Sequence, residues 1–256
     1  MQISDILNSL FRYLHVAAGV IWIGHLYFFN FVNAHFAATM DGETKKKVVP
    51  ELLPRALFWF RWGAAYTWVT GLILMLLVFY HGGLMFDDPM QGWMTGSIVM
   101  VALTFLAFAV YDVLAKSALG KNQKVFAAIS FVLIVVVVFL MQWKEFSGFG
   151  YRAYVIHLGA MFGTLMAANV WMRIWPSQKK IITAIKGGTP PDASLVALAG
   201  ARSKHNTYMS VPLLWTMINS HTVTFSGSWL YLIGAVAIGW LLVWFVYKRS
   251  AKVKGF

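Results

Sequence analysis

Seven long apolar runs are the feature that most constrains this chain. They cover residues 10–30, 57–80, 93–115, 125–143, 151–175, 205–222 and 229–247. Each run approaches or exceeds the roughly 20 residues that a helix needs to cross a hydrocarbon core about 30 Å thick. Only helices and closed barrels satisfy their backbone in lipid, and these runs are continuous rather than alternating, so they predict transmembrane helices.

Composition supports the same fold class. Of the 256 residues, 59% are hydrophobic and 12% are charged, whereas a soluble domain is nearer half apolar and a quarter charged. These values exclude a soluble globular enzyme and a disordered chain. We therefore predict an all-α polytopic membrane helix bundle of about seven transmembrane helices, in which residues 1–256 form a single membrane domain.

Basic residues are concentrated in alternate loops and orient the predicted bundle. The positive-inside rule assigns those loops to the cytoplasm, so the N-terminus is expected outside and the C-terminus inside. This favours a multi-pass protein of the bacterial inner membrane, and it explains the net charge of +12 without a nucleic-acid partner. The basic clusters are Lys45, Lys46, Lys47 and Arg55; Lys116, Lys121 and Lys124; Lys179, Lys180, Lys186, Arg202 and Lys204; and Lys248, Arg249, Lys252 and Lys254.

Two polar features accompany this pattern. Residues 177–204 form the longest predicted loop, with GGTPPDAS at their centre. We interpret them as a flexible cytoplasmic connector in which LVALAGARSK can form a short interfacial helix. Asp112 is the one acid within the third apolar run, and Lys116 follows four residues later. That spacing predicts an ion pair at the end of the helix.

Histidines near the predicted outer face are the strongest chemical signal. His15 and His157 each lie about six residues into a helix that starts outside, hence roughly 9 Å below the boundary, while His81 and His221 end helices on that side. Two imidazoles facing each other from different helices would supply both axial ligands of a haem b iron. The chain has no cysteine, which excludes thiolate ligands and covalent haem attachment.

The cofactor-binding candidates are therefore His15 and His157 as ligands of the haem iron, His221 and His81 as alternates, and Gly19 and Trp22 near His15. Gly19 is four residues after His15, so it shares the same helix face and would leave room for a macrocycle. A second haem would need another pair of histidines. Ten residues separate His15 from His25, a rotation of about 280° along the helix, so the two do not share a face and two haems stacked along one face are disfavoured. Alternatively, each histidine binds a carbonyl or hydroxyl and ties helices together.

The sixth run is unusually polar for a membrane span. Its candidates for a substrate, quinone or proton route, and so for catalysis, are His205, Asn206, Tyr208 and Asn219, and Pro212 interrupts the helical hydrogen bonds. Polar side chains at membrane depth face the bundle interior or a wet cavity. The alternative is that they hydrogen-bond neighbouring helices and only hold the bundle together.

Three segments resemble a known family. They are RYLHVAAGVIWIGHLYFFNF, which holds His15, Trp22 and Gly24; FRWGAAYTWVTGLILMLLVFY; and KHNTYMSVPLLWTMINSH. All three are similar to the urate oxidase N-terminal membrane-domain family, whose best-known members are urate hydroxylases fused to a C-terminal cytochrome c. This sequence contains no C-x-x-C-H motif. The resemblance therefore implies the membrane part alone, with electrons passing to a separate periplasmic cytochrome c or to respiratory-complex subunits.

Three functions follow from these observations. The first is a haem b-binding redox protein in the lipid bilayer, with one haem or two. Within this class, a urate-hydroxylase-like oxidoreductase is favoured. The second is a transporter or channel for a small anion or metal ion, suggested by the polar, proline-interrupted sixth run, although no paired broken helix or inverted repeat accompanies it. The third is a non-catalytic membrane subunit of a respiratory complex.

Overall fold

A computed structural model describes residues 3–88 and 90–255, and this part of the chain is helical with no β-strand. Each predicted run lies wholly or largely within one long helix. The seven helices are α1 Ile3–Thr39, α2 Gly42–Tyr80, α3 Thr95–Lys116, α4 Gln123–Gln142, α5 Tyr151–Lys186, α6 Ala193–Asn219 and α7 Leu230–Ser250. A short helix, Ala118–Lys121, and a 3₁₀ turn, Val223–Phe225, complete the described elements.

Six of the described helices are long and apolar enough to cross a membrane, and α6 is the long helix outside that group. Its polar side chains lower its hydropathy, as the sequence indicated. The all-helical membrane class is therefore confirmed, with six candidate spans. A seventh span and the outside position of the N-terminus stay predictions.

The predicted connector is mostly helical, which corrects its assignment as a loop. Residues 177–186 continue α5, and α6 begins at Ala193, so only residues 187–192 are non-helical. Gly188 turns the chain with φ of 73° after α5, a conformation that glycine adopts without strain. Asp192 then accepts the Ser194 backbone N–H at 2.8 Å, and hydrogen bonds from Ser194 hold the pKa of this carboxyl below its usual range.

The basic segment before the second run is also helical, because α2 begins at Gly42 rather than near residue 57. Asp41 caps its N-terminus: the Asp41 carboxylate accepts the Thr44 backbone N–H at 2.7 Å. That backbone hydrogen bond lowers the pKa of Asp41. The predicted Asp112–Lys116 ion pair is confirmed, with 2.6 Å between the carboxylate and the ammonium.

Three helices contain π-helical turns, at Phe28–Asn33 in α1, Met75–Tyr80 in α2 and Val170–Ile174 in α5. A π turn inserts a residue into the helical repeat and redirects the side chains around it, and such turns are frequent at functional sites. Two side chains that carry long-range hydrogen bonds, Asn30 and Tyr80, lie in these turns.

The described chain divides into two compact units. The first comprises the described residues of Met1–Leu72, Met166–Ser210 and Trp240–Phe256. In this unit α1 and α2 approach closely at Gly63, where an added Cβ would lie 3.1 Å from the Trp22 backbone nitrogen. Small residues that let backbones approach are typical of helix packing in membranes.

The second unit comprises Ile73–Leu165 and Val211–Gly239. Its part of α5 packs against α6 at Gly159, where an added Cβ would collide with the Thr216 hydroxyl. The loop after α4 is anchored to α3, because the Ser97 hydroxyl donates to the Ser147 carbonyl at 2.8 Å.

Candidate functional site

His15 is held by the neighbouring helix of the first unit. Its Nδ1 lies 2.9 Å from the Thr67 carbonyl and 3.2 Å from the Thr70 hydroxyl, both on α2. A carbonyl only accepts, so Nδ1 carries the proton and Nε2 presents a lone pair. Nε2 makes no hydrogen bond to a described residue. Gly71 lets the ring fit, because a Cβ there would lie 2.9 Å from Cε1 of His15.

His157, in the second unit, has both ring nitrogens occupied. The side chain is fully buried, its Nδ1 donates to the Ala153 carbonyl at 2.7 Å, and its Nε2 lies 3.0 Å from the Tyr80 hydroxyl. Because Nδ1 carries the proton, the Tyr80 hydroxyl is the donor to Nε2. The rings of Phe79 and Phe149 also contact the imidazole.

The alternate histidines are exposed. His81 follows the π turn of α2, and its backbone N–H donates to the Leu76 carbonyl at 2.8 Å. His221 lies in the turn after α6 and is also exposed. His25 resembles His15 in one respect, since its Nδ1 donates to a carbonyl at 2.7 Å, but the acceptor is Ile21 of its own helix.

The two predicted neighbours of His15 have different environments. Trp22 is buried, 1% exposed, and its indole Nε1 has no hydrogen-bond partner in the described chain. Gly19 is half-buried, and an added Cβ there would make only an ordinary contact, at 3.8 Å from Thr67. Gly71 of α2 directly borders the imidazole, and no pattern in the sequence pairs it with His15.

Asn206 links two helices of the first unit. It is fully buried, its amide Nδ2 donates to the Met166 carbonyl at 3.0 Å, and its Oδ1 accepts from Asn169 at 2.8 Å. Donor and acceptor are thus both used between α6 and α5. This geometry is that of a structural hydrogen bond and favours the alternative of polar side chains that hold the bundle together.

The other α6 candidates are more accessible. Tyr208 and His205 are half-buried in the first unit, and the Tyr208 ring stacks on Tyr247 of α7 with 6.0 Å between centroids. Asn219 is half-buried in the second unit, where its carbonyl accepts from the Tyr151 hydroxyl at 3.2 Å. The four α6 candidates therefore do not form one cluster within either unit.

The structure adds a polar network that the sequence did not reveal. Asn30 donates to the Ser203 hydroxyl at 2.8 Å and accepts from the Tyr247 hydroxyl at 2.9 Å, which joins α1, α6 and α7 within the first unit. Tyr27 and Ser210 share a hydrogen bond at 3.0 Å in the same unit. The polarity of run 205–222 indicated that α6 would make polar contacts. It could not indicate these partners, because they lie more than 170 residues apart in sequence.

Metal ligation by a larger cluster finds no support in residues 3–88 and 90–255, where no group of three or more His, Cys, Asp or Glu side chains could hold an ion. A haem iron needs fewer protein ligands, and single histidines such as His15 can supply them.

The helices define the class of this protein, and comparison with known proteins then gives its family. The described chain is a helical membrane protein with six candidate spans. The profile of the family described as urate oxidase N-terminal matches residues 41–255, so the chain belongs to that family. The match begins after α1 and therefore does not include His15 or Trp22. No curated protein and no solved structure gives a significant match.

Proposed function

We propose that this chain is a haem b-binding membrane redox protein, with His15 and His157 as the candidate axial ligands. The observation that carries the proposal is the state of His15. A histidine that binds metal through one nitrogen commonly donates its other N–H to a carbonyl, which fixes the tautomer and the ring orientation. His15 has this arrangement, with an acceptor on a different helix and no hydrogen bond from Nε2 to any residue that the structure describes.

The surroundings of His15 fit a haem ligand. The His15 residue is half-buried. Gly19 adds no side chain on the same helix face, and the buried Trp22 supplies an indole N–H without a hydrogen-bond partner among the described residues. These features are compatible with a macrocycle that lies close to α1.

His157 fits the same role only after a rearrangement. Its Nε2 accepts the Tyr80 hydroxyl, and a nitrogen that accepts this proton cannot bind iron at the same time. Ligation by His157 therefore requires Tyr80 to turn away. His81 and His221 are the alternate second ligands, because both side chains are exposed.

Bound haem b would supply one-electron transfer within the membrane. The Thr67 carbonyl would hold the His15 tautomer, and the half-buried His205, Tyr208 and Asn219 would bind substrate or carry protons along α6. The description of the family makes urate the first substrate to test, and electrons would leave to a separate cytochrome c or a respiratory subunit. Asn206 would position α6 against α5 rather than touch substrate.

A reduced-minus-oxidised visible spectrum with pyridine haemochrome quantitation tests the proposal on the full chain expressed with sufficient haem. We expect a b-type band in the wild type and its loss in His15→Ala. His25→Ala is the matched control, because His25 lies on the same helix and has the same Nδ1–carbonyl hydrogen bond. It should retain the band.

Two outcomes would overturn this assignment. A colourless wild type would remove the redox proposal and leave His15 as a link between α1 and α2. Loss of the band in His25→Ala, with retention in His15→Ala, would show that His25 rather than His15 binds the haem. Helical circular dichroism of each variant excludes misfolding as the cause.

A further inference from the structure

Arg61 lies in a cage of aromatic rings in the first unit. The centre of its guanidinium is 4.0 Å from the Trp175 ring centroid, 5.8 Å from that of Trp171 and 5.7 Å from that of Phe58. All three distances are within the range of cation–π attraction. The Trp171 indole also donates to the Arg61 carbonyl at 3.0 Å, which fixes the π turn of α5 against α2.

The cage brings three aromatic rings close to the guanidinium of Arg61 but supplies no anion to it. Arg61 has no carboxylate partner among the described residues, unlike Arg55, which pairs with Glu51. Its Nε is buried and has no hydrogen-bond acceptor. A buried charged donor without a partner is costly. The N–H bonds lie in the guanidinium plane, so an oxyanion can bind this edge with two parallel hydrogen bonds.

The position of Arg61 indicates where that anion comes from. Arg61 follows the basic part of α2, which holds Lys45 to Lys47 and Arg55, and the neighbouring Trp59 and Trp62 are exposed. Exposed tryptophans beside basic residues are typical of the membrane–water interface. The positive-inside rule assigns this end of α2 to the cytoplasmic leaflet, where anionic lipids bind basic pockets between helices.

We propose that Arg61, held by Phe58, Trp171 and Trp175, binds the phosphate of an anionic phospholipid headgroup. The planar fork of the guanidinium matches two phosphate oxygens, and the nearby tryptophan rings restrict its motion. None of the aromatic contacts of Arg61 involves a histidine, and the proposal does not depend on haem binding.

Native mass spectrometry of the full chain in detergent tests the site, with added phosphatidylglycerol or phosphatidylcholine. We expect the wild type to retain phosphatidylglycerol in preference, and Arg61→Gln to lose that affinity by about tenfold or more, as expected for one charge-assisted hydrogen-bond pair. Arg55→Gln is the matched control. Arg55 is on the same helix, but it is exposed and already paired with Glu51 at 2.7 Å, so its loss should have little effect.

A second variant guards against misfolding. Arg61→Lys keeps the charge but lacks the fork, so it should fold and still lose most of the preference. Equal retention of phosphatidylglycerol by the wild type and both Arg61 variants would overturn the proposal. Displacement of the lipid by millimolar inorganic phosphate would assign the site to a soluble anion. Loss of haem in Arg61→Gln, with lipid binding intact, would assign Arg61 to a haem propionate instead.

Discussion

His15 and His157 make the same type of hydrogen bond through Nδ1, but they differ in burial and in the contacts of Nε2. Each donates Nδ1–H to a backbone carbonyl, Thr67 on another helix for His15 and Ala153 one turn earlier for His157. The second nitrogen is free in His15 and accepts the Tyr80 hydroxyl in His157. The first ring is half-buried and the second is fully buried.

This difference separates two uses of a membrane histidine. A ring with both nitrogens satisfied and no exposed surface contributes chiefly to packing and helix–helix attachment. A ring oriented by a carbonyl, with one free nitrogen, is prepared to bind something else. The membrane depth inferred from the sequence assigns both histidines to haem ligation. The following variants test whether they differ.

The largest effect is expected for His157→Ala. This change removes a fully buried ring, leaves a cavity and deprives the Tyr80 hydroxyl of its acceptor, so we expect a loss of about 3 kcal/mol in the free energy of unfolding. His15→Ala should cost about 1 kcal/mol, because the ring is only half-buried. Denaturant unfolding in one detergent measures both. Equal losses of unfolding free energy in the two variants would contradict the difference between the two rings.

Gly71→Ala is expected to displace the His15 ring although His15 itself is not substituted. The new Cβ would lie 2.9 Å from Cε1 of His15, so the ring must shift and its Nδ1 bonds weaken, at a cost of about 1–2 kcal/mol. Gly24→Ala is the control, since an added Cβ there meets nothing within 4 Å, and alanine should be neutral or slightly stabilising. Thermal melting compares them, and identical melting shifts would refute a contact specific to His15.

Tyr80→Phe isolates the second hydrogen bond of His157. Only the hydroxyl is removed, so we expect a loss of about 1 kcal/mol in the free energy of unfolding. The change also frees Nε2 of His157 for a metal. If His157 is an axial ligand, haem content measured by pyridine haemochrome should stay equal or rise. A fall in haem content would show that the Tyr80–His157 pair is needed intact.

The smallest effect is expected for Thr70→Val. Its hydroxyl lies 3.2 Å from Nδ1 of His15, which keeps its shorter contact, at 2.9 Å, with the Thr67 carbonyl. We therefore expect a loss of about 0.5 kcal/mol, near the lower limit for one hydrogen bond, and an unchanged haem spectrum. A spectrum altered as strongly as in Gly71→Ala would mean that the threonine, rather than the carbonyl, orients the ring.

Much of the fold could be predicted from the sequence, because helix formation in lipid depends on local composition. Long apolar runs located seven helices, and i, i+4 spacing gave the Asp112–Lys116 pair. The boundaries were less predictable. The connector at residues 177–204 is largely helical, because amphipathic and small residues can extend a helix beyond the apolar run. The glycines, prolines and serine of GGTPPDAS indicated a loop there.

The candidate site was predicted only as a set of residue types. Sequence patterns identified histidines and the polar α6, and the family match supports membership without testing their roles. No sequence pattern indicated that Asn206 would pair with Asn169, or that Asn30 would join Ser203 and Tyr247. Those contacts depend on how each helix is rotated, and two of them also depend on a π turn, which shifts a face by one residue.

The sequence by itself determined the membrane class, the approximate position of every long helix and the family to which the chain belongs. Hydrophobicity is a sum over neighbouring residues, so it can be calculated along the chain. Only the tertiary structure decided which nitrogens of His15 and His157 form hydrogen bonds, that Gly71 makes room for His15, and that rings surround Arg61. These properties arise between residues that are distant in sequence, and only packing brings their side chains together.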